Sequence, residues 1–315
     1  MAEKVVVIVG PTAVGKTRLG IALAKKLGGE IISGDSMQIY KGMDIGTAKV
    51  KPDEMDGIPH HLLDIKEPCE PFSVVEFQRL CRALIADISA RGRLPIIVGG
   101  TGLYIQAAIY DYQFSDAPSD EAYRQALRQL AAEQGVEALH RQLEAVDPES
   151  AARIHPRNVR RVIRALEVYH STGKPFSEWQ RGQQKQLLYE AAIIGLTAER
   201  SVLYRRINER VDQMIAEGLV DEARALYDRG FRDCQAVQAI GYKELYDYFD
   251  GRVSLEEAVE QLKQNSRRYA KRQLTWFRNQ MPVEWFDMTD AKMFTARVEE
   301  IFRYIAGKLR LEANI

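Results

Sequence analysis

Gly10-Pro-Thr-Ala-Val-Gly-Lys-Thr17 follows a β-branched run, Lys4 to Val9, and precedes apolar residues at helical spacing, Leu19, Ala22, Leu23 and Leu27. Strand, glycine-rich loop and helix in that order satisfy G-x-x-x-x-G-K-[ST] in the context the motif requires. The glycines let backbone N–H groups converge on phosphate oxygens, the helix adds its N-terminus, and Lys16 supplies a cation. Gly10, Pro11, Thr12, Ala13, Val14, Gly15, Lys16 and Thr17 are therefore candidate diphosphate ligands, with the Thr17 hydroxyl suited to Mg²⁺.

Outward from this loop, a second short strand, Glu30 to Ser33, runs into Gly-Asp-Ser. A third, Leu94 to Val98, runs into Gly99-Gly-Thr-Gly102 and an apolar helix from Leu103. Between them, Ser73 and Glu76 have the spacing of a capping box for a helix to about Arg91. Strands alternating with helices predict an α/β fold: a P-loop parallel sheet flanked by helices. The alternation stops near Phe114, where Ser-Asp-Ala-Pro-Ser-Asp (115–120) opens a stretch rich in Ala, Gln, Arg and Leu. The next strand signal comes at Tyr189, and Ala191 to Leu196 returns to the sheet. The expectation is a discontinuous core, 1–114 and 187–315, carrying a helical insertion domain at 115–186. Beyond Leu196 the pattern reads as helix to the end.

Apolar residues at 46% and charged residues at 28% of 315 describe an ordinary globular protein. No apolar run approaches the ~18 residues of a membrane span, and no signal-peptide pattern precedes the first strand, so a cytoplasmic protein without a membrane partner is expected. Cys69, Cys81 and Cys234 are widely spaced and read as reduced, small hydrophobes. Forty-four basic and 44 acidic side chains cancel, which excludes a uniformly positive polyanion binder. The charge is nevertheless uneven: residues 151–185 hold eight Lys/Arg and two acids, and 263–278 hold six basic residues and no acid. Two local basic surfaces are expected.

The third strand ends in glycines instead of the acid that orders Mg²⁺ and water in many ATPases, which disfavours an NTP-driven motor or switch. Asp35 stands at the carboxyl end of the strand after the phosphate loop, where open parallel sheets collect ligands. A carboxylate there suits a general base, and Gly-Asp-Ser equally suits a simple turn. His60, His61 and Asp64 lack a further ligand at metal spacing and read as structural. Arg157, Arg160, Arg161 and Arg164 form a stripe on one predicted helix, either a track for a nucleic-acid backbone or a solvated face. Lys263, Arg267 and Lys271 repeat the device, followed by Trp276 and Phe277, which read as core.

Several motifs share one register: Gly10 to Thr17; Ser33-Gly-Asp-Ser-Met-Gln-Ile-Tyr40; Gly42-Met-Asp-Ile-Gly-Thr-Ala48; Pro59-His-His-Leu-Leu-Asp64; Gly99-Gly-Thr-Gly-Leu-Tyr104; Arg157-Asn-Val-Arg-Arg161; Gln238-Ala-Ile-Gly-Tyr-Lys-Glu244; Arg272-Gln-Leu-Thr-Trp-Phe-Arg278. Together they resemble the bacterial tRNA dimethylallyltransferase family over essentially the whole chain. The resemblance implies transfer of a dimethylallyl group from its diphosphate to the exocyclic amine of the adenosine 3′ of the anticodon. It implies that the phosphate loop holds the donor, that Thr17 orders Mg²⁺, and that Asp35 is the base. Thr101 resembles the threonine beside the reacting centre, and Arg206 the arginine on the diphosphate, with Arg205 adjacent and Arg210 one turn on as alternatives for that role. Asp35, Ser36, Met37 and Gln38, with Arg157, Asn158, Val159, Arg160 and Arg161, match segments that touch the tRNA anticodon stem-loop. The expected assembly is a monomer. The zinc finger of some eukaryotic relatives is absent, as the cysteine count requires.

Three rivals share the loop: a small-molecule kinase using Asp35 on a hydroxyl, a prenyltransferase acting on free adenine nucleotides, and an RNA-binding module without chemistry. Two basic stripes and a long insertion favour a macromolecular acceptor. Asp35 and Thr101, both at predicted strand ends, favour chemistry.

Overall fold

The computed structural model describes residues 3–114, 120–181 and 186–311. It divides into two compact units, Met1–Tyr110 with Leu187–Ile315, and Asp111–Gln186. The division falls after Tyr110 instead of Phe114 because Tyr110 bridges Leu187 and the Leu188 N–H donates to the Ile109 carbonyl. The run 115–119, on which the expected boundary rests, lies outside the described residues.

The chain runs β1 (Lys4–Val9), α1 (Lys16–Leu27), β2 (Gly29–Ser33), β3 (His60–His61), α2 (Val74–Ala90), β4 (Leu94–Gly99) and α3 (Gly102–Ile109). The second unit follows with α4 (Glu121–Gln134), α5 (Val136–Val146), α6 (Pro148–Arg153), α7 (Val159–Thr172) and α8 (Phe176–Arg181). The first unit resumes as β5 (Glu190–Thr197), α9 (Arg200–Ala216), α10 (Leu219–Asp228), α11 (Tyr242–Phe249), α12 (Leu255–Gln280), β6 (Glu284–Asp287) and α13 (Phe294–Leu309).

The six strands lie in the order β3-β2-β4-β1-β5-β6, all pairings parallel. The β1 sequence shows no polar alternation because both faces are covered. Val5, Val7 and Val9 pack with Phe77, Ile105 and Leu245, whereas Val6 and Ile8 pack with Leu19, Leu203 and Ile301. Since every strand points the same way, the loops after β1, β2 and β4 meet at one edge. The prediction of unbroken helix after Leu196 is corrected by β6, which pairs with β5 from Ile194↔Glu284 to Thr197↔Asp287. Ser73 caps α2 as predicted, accepting from the Glu76 N–H at 3.1 Å, while the Glu76 carboxylate pairs with Lys66.

The reading of three reduced cysteines is also corrected. Cys69 and Cys234 form a disulfide across 165 residues, their Cα atoms 4.9 Å apart, and only Cys81 is free and buried. Contact between residues so distant in sequence is a tertiary fact that spacing does not encode.

The second unit packs its helices around Leu127, Leu139, Leu143, Val162 and Leu166. Glu167 is fully buried among them and accepts from the Asp120 N–H, Arg124 and Arg164. Burial opposes its charge, but the two arginines hold its carboxyl below the ordinary range. Among the described residues no helix is long and apolar enough to cross a membrane.

Candidate active site

The phosphate loop is shaped by backbone conformations that few residues tolerate. Gly10 has φ 146°, and a Cβ there would sit 2.6 Å from the Leu196 carbonyl oxygen on neighbouring β5. Ala13 occupies the left-handed region at φ 62°, a strain of the kind that functional loops retain. The N-terminus of α1 has no side-chain cap, so its first N–H groups remain open to an anion.

Part of the loop borders a cavity of about 390 Å³ at the carboxyl edge of the sheet. Thr12, Ala13, Lys16 and Thr17 line it from the loop after β1, and Asp35, Ser36, Met37 and Gln38 from the loop after β2. Gly99 and Gly100 enter from the end of β4, Gly46, Thr47 and Ala48 from an irregular segment, and Tyr269, Arg272 and Gln273 from α12. A second cavity of about 690 Å³ adjoins it, sharing Ala13, Lys16, Thr17, Ala48 and Arg210. Four cations, Lys16, Arg210, Lys243 and Arg272, face the single carboxylate of Asp35 in the first cavity, an excess that suits a polyanion.

Lys16 is pulled down to about 7, first by burial and then by the Arg210 charge, against the attraction of Asp35. Its Nζ donates to the Pro11 carbonyl at 2.6 Å. Burial likewise lowers the Arg210 guanidinium below its ordinary range, against the charges of Asp35 and Glu54. Asp35 Oδ1 accepts from the Met37 N–H at 2.8 Å, while Oδ2 has no hydrogen bond among the described residues. Thr101 Oγ1 accepts from the Ser36 N–H at 3.2 Å, which joins the β4 turn to the Asp35 turn.

Two α12 residues that the sequence reading missed bind these loops together. Gln273 accepts from the Thr12 N–H at 2.9 Å and donates to the Gly100 carbonyl at 3.0 Å, so one buried amide spans the phosphate loop and the β4 turn. Tyr269 lies near Thr101 and Gln273; burial, then the nearby Asp35 charge, push its phenol up to about 12. Gln273 interrupts the apolar spacing of a helix and belongs to one of the motifs quoted above, the one sequence signal pointing to it.

Of the three candidate arginines on α9, Arg206 lies away from the cavity. Its guanidinium donates to the Met288 and Thr289 carbonyls, both at 2.8 Å, and it does not line the cavity. One turn later on α9, Arg210 lines both cavities and lies 3.5 Å from Thr12 Oγ1. The arginine facing the phosphate loop is Arg210.

His60 Nδ1 pairs with the Ile58 carbonyl, His61 Nε2 with Glu30, and Asp64 with Lys49. No group of three or more His, Cys, Asp or Glu suited to a metal occurs among the described residues. In the second unit Arg157, Asn158, Arg160 and Arg161 are exposed and Val159 is half-buried. Arg157, Arg160 and Arg161 have no ion pair among the described residues, whereas Arg164 is held by Glu167. The α12 stripe is mostly consumed internally: Lys263 pairs with Asp212, and Arg267 with Asn208 and Glu260.

The family model for IPP transferase matches residues 38–280. The tRNA dimethylallyltransferase of Geobacillus thermodenitrificans is 90% identical over 315 residues, the full length of both chains. The tRNA isopentenylpyrophosphate transferase structure from Bacillus halodurans superposes with a TM-score of 0.74 at 60% identity, covering 98% of this chain and 97% of that one. A eukaryotic dimethylallyltransferase acting on tRNA gives a TM-score of 0.83 at 32% identity, over 97% of this chain and 78% of the other. With a phosphate loop, a facing carboxylate and a cationic cavity in one sheet edge, and with matches over most of its length, this chain belongs to the IPP transferase family.

Proposed function

We propose that the protein transfers the dimethylallyl group from dimethylallyl diphosphate to the N6 amine of the adenosine immediately 3′ of the tRNA anticodon, acting as a cytoplasmic monomer. The observation that carries the reading is one cavity lined by the phosphate loop with Lys16 and Arg210 and by Asp35, whose turn Thr101 holds through the Ser36 N–H.

The donor's C1–O bond breaks as the adenine nitrogen forms its bond to C1. Negative charge gathering on the leaving diphosphate meets the loop N–H groups, Lys16 and Arg210, all preorganised before the reaction. The amine's lone pair is conjugated with the purine, and its N–H becomes acidic only as that lone pair forms the bond to C1, so Asp35 takes the proton late. The adenine leaves its stack to enter the cavity. Arg157, Arg160 and Arg161 supply cations for the phosphates of the anticodon loop. Mg²⁺ fits the oxygen donors present, because this ion keeps most of its waters and takes few protein ligands; the Thr17 hydroxyl would hold it with the diphosphate. When bound, it neutralises leaving-group charge.

The test is incubation with dimethylallyl diphosphate, Mg²⁺ and unmodified tRNA, followed by nucleoside mass analysis. A gain of one dimethylallyl group on adenosine is expected. A product formed only with ATP would make the protein a kinase, and a product on free AMP but not on tRNA would make it a nucleotide prenyltransferase.

A further inference from the structure

We infer that Glu222 of α10, outside the cavity, is a positioning residue that fixes the Gly46–Ala48 wall and, through it, the orientation of the Gln38 amide. The inference rests on the prenyl-transfer reading above and names a device that serves its acceptor side.

The segment from Lys41 to Val50 contains no helix or strand, so no backbone ladder holds it in place. Its ends are tied by the Lys41 N–H to the Lys66 carbonyl and by Lys49 to Asp64, while the N–H groups of its middle, 44–46, are held by a single carboxylate. Glu222 Oε2 accepts from the Asp44 and Ile45 N–H groups at 2.9 and 2.8 Å, and Oε1 accepts from the Gly46 N–H at 3.0 Å and the Tyr242 hydroxyl at 2.6 Å. Three successive N–H groups form a concave anion-binding nest, and a charged acceptor makes each bond stronger than a neutral one does. The Tyr242 ring is fully buried and packs flush against the chain: a Cβ on Gly46 would lie 2.6 Å from its edge. Glu222 thus pulls the segment down while Tyr242 stops it.

The consequence reaches the cavity in one further step. Gln38 Nε2 donates to the Thr47 and Ala48 carbonyls at 3.2 and 3.4 Å, and its Oε1 accepts from Ser33 Oγ at 3.0 Å. Those contacts decide which end of the amide points which way. Gln38, Gly46, Thr47 and Ala48 all line the cavity, and Gln38 closes the Asp35–Gln38 turn. Glu222 itself touches neither the cavity nor the phosphate loop.

Glu222→Gln keeps the shape but offers one acceptor oxygen to four donors and turns an NH₂ group toward N–H groups. Backbone amides 44–48 should then exchange with deuterium faster than in the wild type, a measurement that needs no turnover. In the prenylation assay kcat should fall about tenfold through lost orientation, while the dissociation constant for inorganic diphosphate stays within about twofold. Tyr242→Phe should cause a smaller loss, and adding it to Glu222→Gln should change little, because both act through one clamp. Unchanged exchange at 44–48, unchanged kcat, or an equal loss of diphosphate affinity would each overturn the inference. Wild-type enzyme that fails to prenylate tRNA refutes the underlying reading instead, and the exchange result still decides whether the clamp exists.

Discussion

Lys16 Nζ lies 2.6 Å from the Pro11 carbonyl, so the cation of the phosphate loop is held by the loop's own backbone. Burial and the Arg210 charge bring it down to about 7. A bound diphosphate would restore the charged form, which makes donor binding take up a proton above pH 7. Donor affinity should therefore weaken by up to about tenfold per pH unit between pH 7 and 9. Measured as a ratio to Lys16→Arg, whose cation does not titrate, the ligand's own ionisation cancels. The unfolded chain keeps this proton to a higher pH than the folded one, so in ligand-free protein this group makes stability rise with pH above 7. A flat affinity ratio from pH 6 to 9 would remove Lys16 from the donor site.

Asp35→Asn retains size and the acceptor for the Met37 N–H while removing the base. Turnover should fall about a hundredfold or more, with tRNA and diphosphate affinities preserved. Loss of tRNA binding with catalysis intact would make Asp35 a recognition residue.

Arg206 and Arg210 sit one helical turn apart, and the structure assigns them different work. Arg210→Ala should raise the dissociation constant for inorganic diphosphate about tenfold or more, because it removes a charge from a half-enclosed anion site. Arg206→Ala should leave that constant unchanged and lower thermal stability, since it frees the Met288 and Thr289 carbonyls. Calorimetric titration with diphosphate beside a thermal scan separates the two, and the reverse pattern would restore Arg206 to the site.

What the sequence made legible follows from how local each feature is. The phosphate loop, β1 and α1 lie within 24 residues, and their signals need no partner. β5 was readable because both of its faces are buried, which leaves an unbroken apolar run from Ala191 to Leu196. β6 has four residues, two of them exposed, so neither length nor pattern marks it. The open choice among Arg205, Arg206 and Arg210 has the same origin: the partners of Arg206 are carbonyls just past β6, and without that strand α9 alone does not separate the three. Gln273 and Glu222 act across 261 and 176 residues or more to reach Thr12 and the 44–46 segment, contacts only the fold creates.

The Cys69–Cys234 bond closes a loop of 165 residues in sequence, and a cross-link of this kind typically contributes on the order of 2–4 kcal/mol by restricting the unfolded chain. Denatured but unreduced protein should present one reactive thiol, that of Cys81. Reductant, or Cys69→Ser, should lower the core's thermal midpoint by several degrees, about 5 °C. Three thiols in unreduced protein, or no response to reductant, would return both cysteines to the reduced state.

The arginine stripe of α7 offers the sharpest separation of donor from acceptor. Arg157, Arg160 and Arg161 are exposed, carry no ion pair among the described residues, and stand on the unit opposite in sequence to the phosphate loop. Their neighbour Arg164 is already neutralised by Glu167, and two of the three basic residues in the α12 stripe are bound internally. Changing Arg157, Arg160 and Arg161 together to Ala should raise KM for tRNA and lower the log–log salt slope of tRNA binding by roughly 0.7 to 0.9 per lost contact. Affinity for inorganic diphosphate should not move, because no described residue of this unit lines the cavity. Arg164→Ala should instead destabilise the unit by leaving Glu167 buried with one arginine fewer, without the salt signature. Wild-type tRNA affinity and salt slope in the triple variant would make the stripe a solvated helix face, and the phosphate contacts would then have to come from elsewhere on the chain.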